Sequence, residues 1–484
     1  MAESGPSTTW TPPHYDYSKT PALVSSTRLH PDDDNPHNFA RMAKWCPDGS
    51  AALAQCENRH LQTLEMPPEL ASLYGEDGTH PTARVFRQPS PILDFAWFPA
   101  ASTRDPASFC FMASVRECPV KLLDANDGRL RASYSIIDHR ERFIAPHSLA
   151  FNCSADRLFC GFEDAIEVFD VRRPGEGTRL HITPSKKSKD GLKGIVSALA
   201  FVPDATTGVY AAGSLSPSAP TSSNIALFSE ATGEAPLMFV GGDKGIGGIR
   251  ASVTQLAFNP MRPHLLYASF RRHDAIYEWD IRGDAQMPVR TFRRGRSVSK
   301  RDSNRTEAAG TVTTNQKLRF DIDISGQILG AGGQDGKISM FNLAAGDISQ
   351  TGSVELTEAT RAPQPGPAMQ YKAHDGKLYA LYAVGSVSLH PLQPILLSVS
   401  GSRHFHLDGL SESELDSGND HVGQPGGGPP ATVKFKRRRP QPVTLDASVK
   451  YWSFQAGAYS TGPETAGSDD NGLSRSSRAE SFIR

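Results

Sequence analysis

The 484-residue chain has almost no net charge, no long apolar run and few cysteines. Its 51 Lys and Arg stand against 52 Asp and Glu, a formal charge of −1. A neutral total offers no bulk attraction to a polyanion, although local patches survive such a sum. No stretch approaches the ~18 consecutive apolar residues of a membrane-spanning helix, so no membrane partner is expected. The first thirty residues carry Pro, Ser, Thr and acids without an apolar segment, which argues against a secretory signal. The six cysteines, Cys46, Cys56, Cys110, Cys118, Cys153 and Cys160, lack CxxC or finger spacing and mostly fall in strand-like runs. They read as reduced core thiols of a cytosolic or nuclear protein.

Catalytic signatures are missing as well. No Gly-x-Ser-x-Gly elbow, HExxH or carboxylate pair stands out, so neither an enzyme nor a cofactor is expected. The run from Gly241 to Gly248 lacks the Gly-Lys-Ser/Thr ending of a phosphate loop and precedes a strand, and it reads as a connection between repeats. His147, His390, His404 and His406 have no carboxylate or cysteine at metal spacing and read as ordinary polar histidines.

What the chain has is repetition. A β-branched or apolar residue, two positions, a bulky apolar residue and a small polar one recur seven times: Leu61 to Glu65, Val120 to Asp124, Ile166 to Asp170, Ile225 to Ser229, Ile276 to Asp280, Ile338 to Asn342 and Val449 to Ser453. That spacing is the end of a buried strand, read here as the third of each repeat. A second strand per repeat alternates apolar residues and stops at a turn residue, with anchors at Trp45, Trp97, Phe151, Phe201, Phe258, Phe320 and Leu389. The anchors lie 50 to 69 residues apart, longer than the ~40 to 45 of a compact Trp-Asp blade, so the excess sits in loops. Hydrophobic content of 38% with 42 Gly and 36 Pro suits many short strands.

The implied fold is all-β, a seven-bladed propeller over residues 21–455. Insertions are expected at 296–312, 346–376 and 403–445, and disordered tails at 1–20 and 456–484. Such a ring must close, and Ala22-Leu23-Val24-Ser25-Ser26-Thr27 is the strand-like piece ahead of the first repeat. We expect it to complete the seventh blade.

Asp164, Asp274 and Asp335 precede third strands and read as turn-holding carboxylates. The cations carry the functional signal. Connections between repeats and the loops between second and third strands emerge on one face of a propeller. Those loops hold Arg140 and Arg142 flanking Phe143, then Lys186, Lys187, Lys189 and Lys193, then Arg271, Arg272, Arg293 and Arg294. Such a rim suits RNA phosphates, with Phe143 and Tyr382 placed to stack on bases. Two other readings stay open: the charges solvate the rim, or they meet acidic protein partners. The cluster Lys436, Arg437, Arg438 and Arg439 reads either as a nuclear import signal or as an RNA contact.

Several segments outside the blade pattern resemble the telomerase Cajal body protein family of Trp-Asp (WD40) propellers. They are Met42-Ala43-Lys44-Trp45-Cys46-Pro47-Asp48-Gly49-Ser50, Met66-Pro67-Pro68-Glu69-Leu70, Asp127 to Tyr134, Pro146-His147-Ser148-Leu149-Ala150-Phe151, Leu158 to Phe162 and Thr313-Thr314-Asn315-Gln316-Lys317. The chain differs from the animal pattern in a shorter N-terminal region and longer insertions after the fifth and sixth repeats. The resemblance implies a monomeric nuclear scaffold that binds small Cajal body RNAs, in animals including telomerase RNA. It also implies ribonucleoprotein proteins as partners and the cytosolic chaperonin as a folding partner. Some fungal relatives are associated with the spliceosome, which implies a protein-only adaptor as the alternative.

Overall fold

The computed structural model describes residues 11–71, 83–184, 191–215, 224–241, 251–283, 285–294, 315–344, 364–374, 383–405, 442–444 and 446–455. Among these, seven four-stranded antiparallel sheets span residues 40–87, 92–134, 148–181, 196–240, 253–293, 320–372 and 384–453 together with 22–28. They form the blades of a propeller. The single α-helix among the described residues is the short Pro68–Ala71.

Six of the alternating strands end at their anchors and one begins at Phe320, but they are the first strands of their sheets, not the second: Ala40–Trp45, Ile92–Trp97, Ser148–Phe151, Val196–Phe201, Val253–Phe258, Phe320–Ile322 and Val384–Leu389. First strands of neighbouring blades contact one another, so they form the hub. The anchors help hold it: Trp97 Nε1 donates to Lys44 O at 3.1 Å and Trp45 Nε1 to Ser388 O at 3.1 Å, each reaching into the neighbouring blade.

No central core exists, because a propeller hub is a channel. Among the described residues, seven apolar clusters each fill the gap between two adjacent blades. Tight approach there demands small residues. A Cβ on Gly213 would meet Val253 at 2.5 Å, and one on Gly332 would meet the Val384 carbonyl at 2.5 Å, so each glycine is a socket for the next blade.

Ala22–Arg28 pairs antiparallel with Ser448–Ser453 as the outer strand of blade 7 and closes the ring as expected. Further upstream, within the segment expected to be disordered, Tyr15 is buried against Phe454 with ring centroids 5.4 Å apart. The segment 346–376, expected to be a connection, contains the outer strand of blade 6, Met369–Lys372. Alternating polar residues concealed it, since an outer strand buries only one face. Within 403–445, His404–Phe405 pairs with Pro442–Val443. The insertion 296–312 and the tail 456–484 lie outside the described residues. Four of the six cysteines are buried, Cys118 is half-buried, and Cys153 is exposed, contrary to its reading as a core thiol.

Blade 7 also carries a polar network that ties it to the end of blade 6. Trp452 Nε1 donates to Ser398 Oγ (2.9 Å), which meets His374 Nε2 (3.0 Å), while His374 Nδ1 faces Asp446 Oδ2 (3.2 Å) and Ser448 Oγ (2.9 Å). Burial opposes ionisation of Asp446, but hydrogen bonds from His374 and Ser448 outweigh it and hold the carboxyl well below its ordinary range. The network joins the end of blade 6 to two strands and a loop of blade 7.

Two predictions follow from the closure. Deleting residues 1–28 removes the ladder on Ser448–Ser453, with each hydrogen bond contributing about 0.5–1.5 kcal/mol; thermal melts should show a marked fall in Tm, and an unchanged melt would refute closure by this strand. His374→Ala leaves buried partners unsatisfied and should cost about 1–3 kcal/mol by urea unfolding. Asp446, depressed in the folded state, contributes stability above its unfolded pKa that is lost on acidification, so the difference between His374→Ala and the parent should shrink below pH 4.

Candidate nucleic-acid interface

Five hub strands carry an irregularity near their first residues, leaving Arg41, Leu93, Ser197, Thr254 and Gly385 without a ladder partner. A bulge re-aims a side chain, and here it does so at one end of the channel. That end is the face of the inter-blade connections and of the loops between second and third strands. The same loops repeat a left-handed residue, Arg59, Glu117, Asp164 and Arg272 at φ +67°, +59°, +57° and +64°. The turn is a property of the fold rather than of one blade.

A cavity of about 750 Å³ opens at this end, lined by Phe39, Arg41, Met42, Gln55, Glu57, Ile92, Leu93, His147, Arg271, Asn315, Gln316, Lys317, Arg319, Ser402 and Arg403. Its lining has five Arg or Lys side chains against one carboxylate, Glu57. Glu57 is already engaged by both Arg41 and Arg403. Arg271 Nε donates to Asn315 O at 3.1 Å, and the adjacent Arg272 Nε donates to Asn315 Oδ1 at 2.5 Å.

Lys317 is the exception. Partly buried in the wall, it has no hydrogen-bond or ion-pair partner among the described residues. Burial, with repulsion from Arg319 and, after it, from Arg271 and Arg41, pushes its ammonium down to about 8 against the pull of Asp94. His147 is likewise lowered, by burial first and by Lys317 and Arg116 after it, and is neutral at pH 7.

Below the mouth the channel continues as a second cavity of about 430 Å³, and Arg319 lines both. Arg319 NH1 is fixed to Thr254 O at 2.9 Å. Lys44 donates to Phe95 O at 3.3 Å and lies over the Phe95 ring at 5.2 Å from its centroid. Asp94 receives Leu149 N at 3.0 Å. Burial pushes the Asp321 carboxyl up to about 6 in spite of hydrogen bonds from Leu389, Ile322 and Ser388. With Arg319 counted in it, the lower half sets two cations against two carboxylates, and the mouth keeps four other cations against Glu57.

The rim residues singled out by sequence fare unevenly. Arg271 lines the mouth and Arg272 stands beside it, and Lys193 lies in the connection from blade 3 to blade 4. Arg140 and Phe143 are exposed between blades 2 and 3, with Phe143 43% exposed beside Ile137. Arg142 forms a two-pronged pair with Asp138 (3.0 and 2.8 Å), which cancels much of its field. Arg293 ends the outer strand of blade 5 and donates to Gln364 Oε1 at 3.0 Å, away from the hub. Arg294 is only 2% exposed and donates to His273 O (3.2 Å) and Leu318 O (3.4 Å), so it is a buried brace and no part of a solvent-facing rim. Sequence order could not separate Arg293 from Arg294, since strand alternation alone sends one out and the other in. Lys186, Lys187, Lys189, Tyr382, His406, Lys436, Arg437, Arg438, Arg439 and the run from Gly242 to Gly248 lie outside the described residues.

The turn carboxylates differ too. Asp164 Oδ1 accepts Gly194 N at 2.6 Å; Asp335 accepts Lys337 N at 3.3 Å; the Asp274 carbonyl accepts Arg294 N at 3.1 Å. His390 is a buried structural group whose Nε2 meets Gly49 O at 3.1 Å. Charge counting overlooked Arg41, Lys317, Arg319 and Arg403, each isolated among neutral neighbours. A signal existed nonetheless: three segments that carry the family resemblance supply Met42, His147 and Asn315-Gln316-Lys317 to one cavity.

No family model matches the chain. Among curated proteins it is similar to telomerase Cajal body protein 1 of Mesocricetus auratus, 31% identical over 399 residues, which is 81% of this chain and 63% of the relative. The human protein of that name is 30% identical over 408 residues, 84% of this chain and 64% of the relative. The chain is similar to these telomerase Cajal body proteins over about four fifths of its own length. Like theirs, its propeller is of the WD40 type, and it spans just under two thirds of the length of these mammalian relatives. A fission yeast relative from Schizosaccharomyces pombe, named guanine nucleotide-binding protein negative regulator 1, is 27% identical over 343 residues, 68% of this chain and 77% of its own length.

Lys317 gives a direct test of the mouth. Its folded pKa lies below its ordinary 10.5, so between about 8 and 10.5 the folded state binds fewer protons than the unfolded one. Stability should therefore rise with pH across that window. Lys317→Met should abolish the rise and add on the order of 1 kcal/mol at pH 7, because an apolar side chain suits a partnerless buried site better than a charge. Chemical unfolding at pH 7, 8 and 9.5 checks both; a less stable variant would mean that the ammonium is paired.

Proposed function

We propose that this protein is a nuclear RNA-binding scaffold that takes small Cajal body-type RNAs on the channel mouth and directs assembly and delivery of their ribonucleoproteins. The observation that carries the reading is the uncompensated charge of the mouth, five cations to one shared carboxylate in a chain whose total charge is −1. A low-dielectric well with one sign of charge focuses its field on an anion. Exposed rim groups such as Arg140, Arg272 and Phe143 would extend that contact to phosphates and bases outside the well.

The family's home is the nuclear Cajal body, and the protein is nuclear. Its relatives are scaffold-type propellers. Telomerase RNA is one client that the relatives' name suggests. Ribonucleoprotein proteins would bind the remaining surface, and a seven-sheet ring that closes only when its two ends meet is a natural client of the cytosolic chaperonin.

Crosslinking of the full chain in its own nuclei, followed by sequencing of the bound RNA, tests the reading. Small nuclear RNAs should be enriched, and recovery of none above background would overturn it in favour of a protein-only adaptor. In vitro, Arg271→Ala with Arg403→Ala should weaken binding and reduce the salt slope by roughly 0.7 per lost single-strand phosphate contact. Arg172→Ala, on an exposed loop between third and fourth strands at the opposite face, should leave both unchanged.

A further inference from the structure

Four features of the mouth bear on what enters it. The first is depth. Arg319, tied to Thr254 O and facing Asp94, lies at the divide between the two halves of the channel and gives the mouth a floor. The second is size, since about 750 Å³ is in the range of small-ligand sites. A duplex does not fit.

The third feature is sidedness. Blades 1 and 2 contribute Met42, Ile92 and Leu93, whereas blades 5, 6 and 7 contribute Arg271, Lys317 and Arg403. The first side is apolar around Arg41, whose charge Glu57 meets, and the second is cationic. The fourth is the unmatched ammonium of Lys317, which lacks a partner among the described residues and faces the cavity. A buried cation left without a partner costs stability, and a bound anion removes that cost.

We propose that the mouth is a receptacle for one everted nucleotide of a single-stranded loop, with its base against the Met42, Ile92 and Leu93 wall and its phosphate on Lys317, Arg271 and Arg403. This rests on the RNA-binding reading and sharpens it: the RNA is engaged by insertion of a residue, not by lying across a charged rim. Eversion restricts the partner to loops, bulges and ends, because a paired base must first leave its stack. Neutral His147 at the edge adds a flat ring without further charge.

The test has two arms on the full-length chain. In the first, adenosine or uridine 5′-monophosphate, the free nucleoside and inorganic phosphate are compared by their shift of Tm. The nucleotides should stabilise more than either fragment, and Lys317→Met, itself folded and no less stable, should lose that shift. Equal stabilisation by phosphate alone, or no shift by any, would overturn the proposal. In the second arm, each loop position of an RNA hairpin recovered by crosslinking is made abasic in turn. One position should lose about 5- to 150-fold in affinity, the measure of one stacked base, while the others change little. Tight binding with every position tolerant would overturn insertion and leave the RNA reading intact. Nucleotide stabilisation without any recovered RNA would overturn the RNA reading and leave the pocket.

Discussion

Everything in this molecule depends on closing the ring. Each blade is a four-stranded sheet that buries its faces only against its neighbours, and the seven apolar clusters sit between blades rather than at a centre. An open series would leave the first blade and the last with one face each in water. The pairing of Ala22–Arg28 with Ser448–Ser453 converts a stack into a ring, and the Trp452, Ser398, His374 and Asp446 network fixes blade 7 against blade 6 at the same joint. Polar groups suit this role because a buried network tolerates one geometry and apolar contacts tolerate many.

Closure also makes the site. Seven first strands that begin on one face must bring their opening residues together around the axis, so whatever side chains stand there become neighbours regardless of their distance in sequence. Arg41 and Arg403 lie 362 positions apart in the chain yet share Glu57. The repeated bulge adds a residue at that level of the hub, which raises the density of side chains at the mouth. No local motif is needed, and none is present.

This explains what could be read from the sequence and what could not. The third-strand endings and the anchors gave the blade count because strand burial repeats with period two along the chain. The closing strand was legible since Ala22 to Thr27 had no other partner within reach. Met369–Lys372 was not, since an outer strand that faces solvent looks like a loop. For the site, Arg271 was found because it sits beside another arginine in a hairpin loop. Arg41, Lys317 and Arg403 were missed because each stands alone, and only ring geometry gathers them. Arg294 was misassigned for the converse reason: a run of cations in sequence spreads over two faces of a strand, and this one points inward.

The distinction between rim and mouth decides how a neutral protein can select a polyanion. Rim cations tend to find acids nearby, as Arg142 does with Asp138, and at physiological salt their fields decay within about 8 Å. Their sum assists encounter and discriminates little. Inside the mouth one carboxylate is shared by two arginines, and Lys317 has no hydrogen-bond or ion-pair partner among the described residues. A group there is weakly screened and costly while empty, so its free energy is returned only by a ligand that fits the well. On the proposed reading, selection depends on shape as much as on charge: proteins, duplexes and free strands would all meet the rim, but only a chain that releases one residue from its own stacking would reach the ammonium in the wall of the mouth.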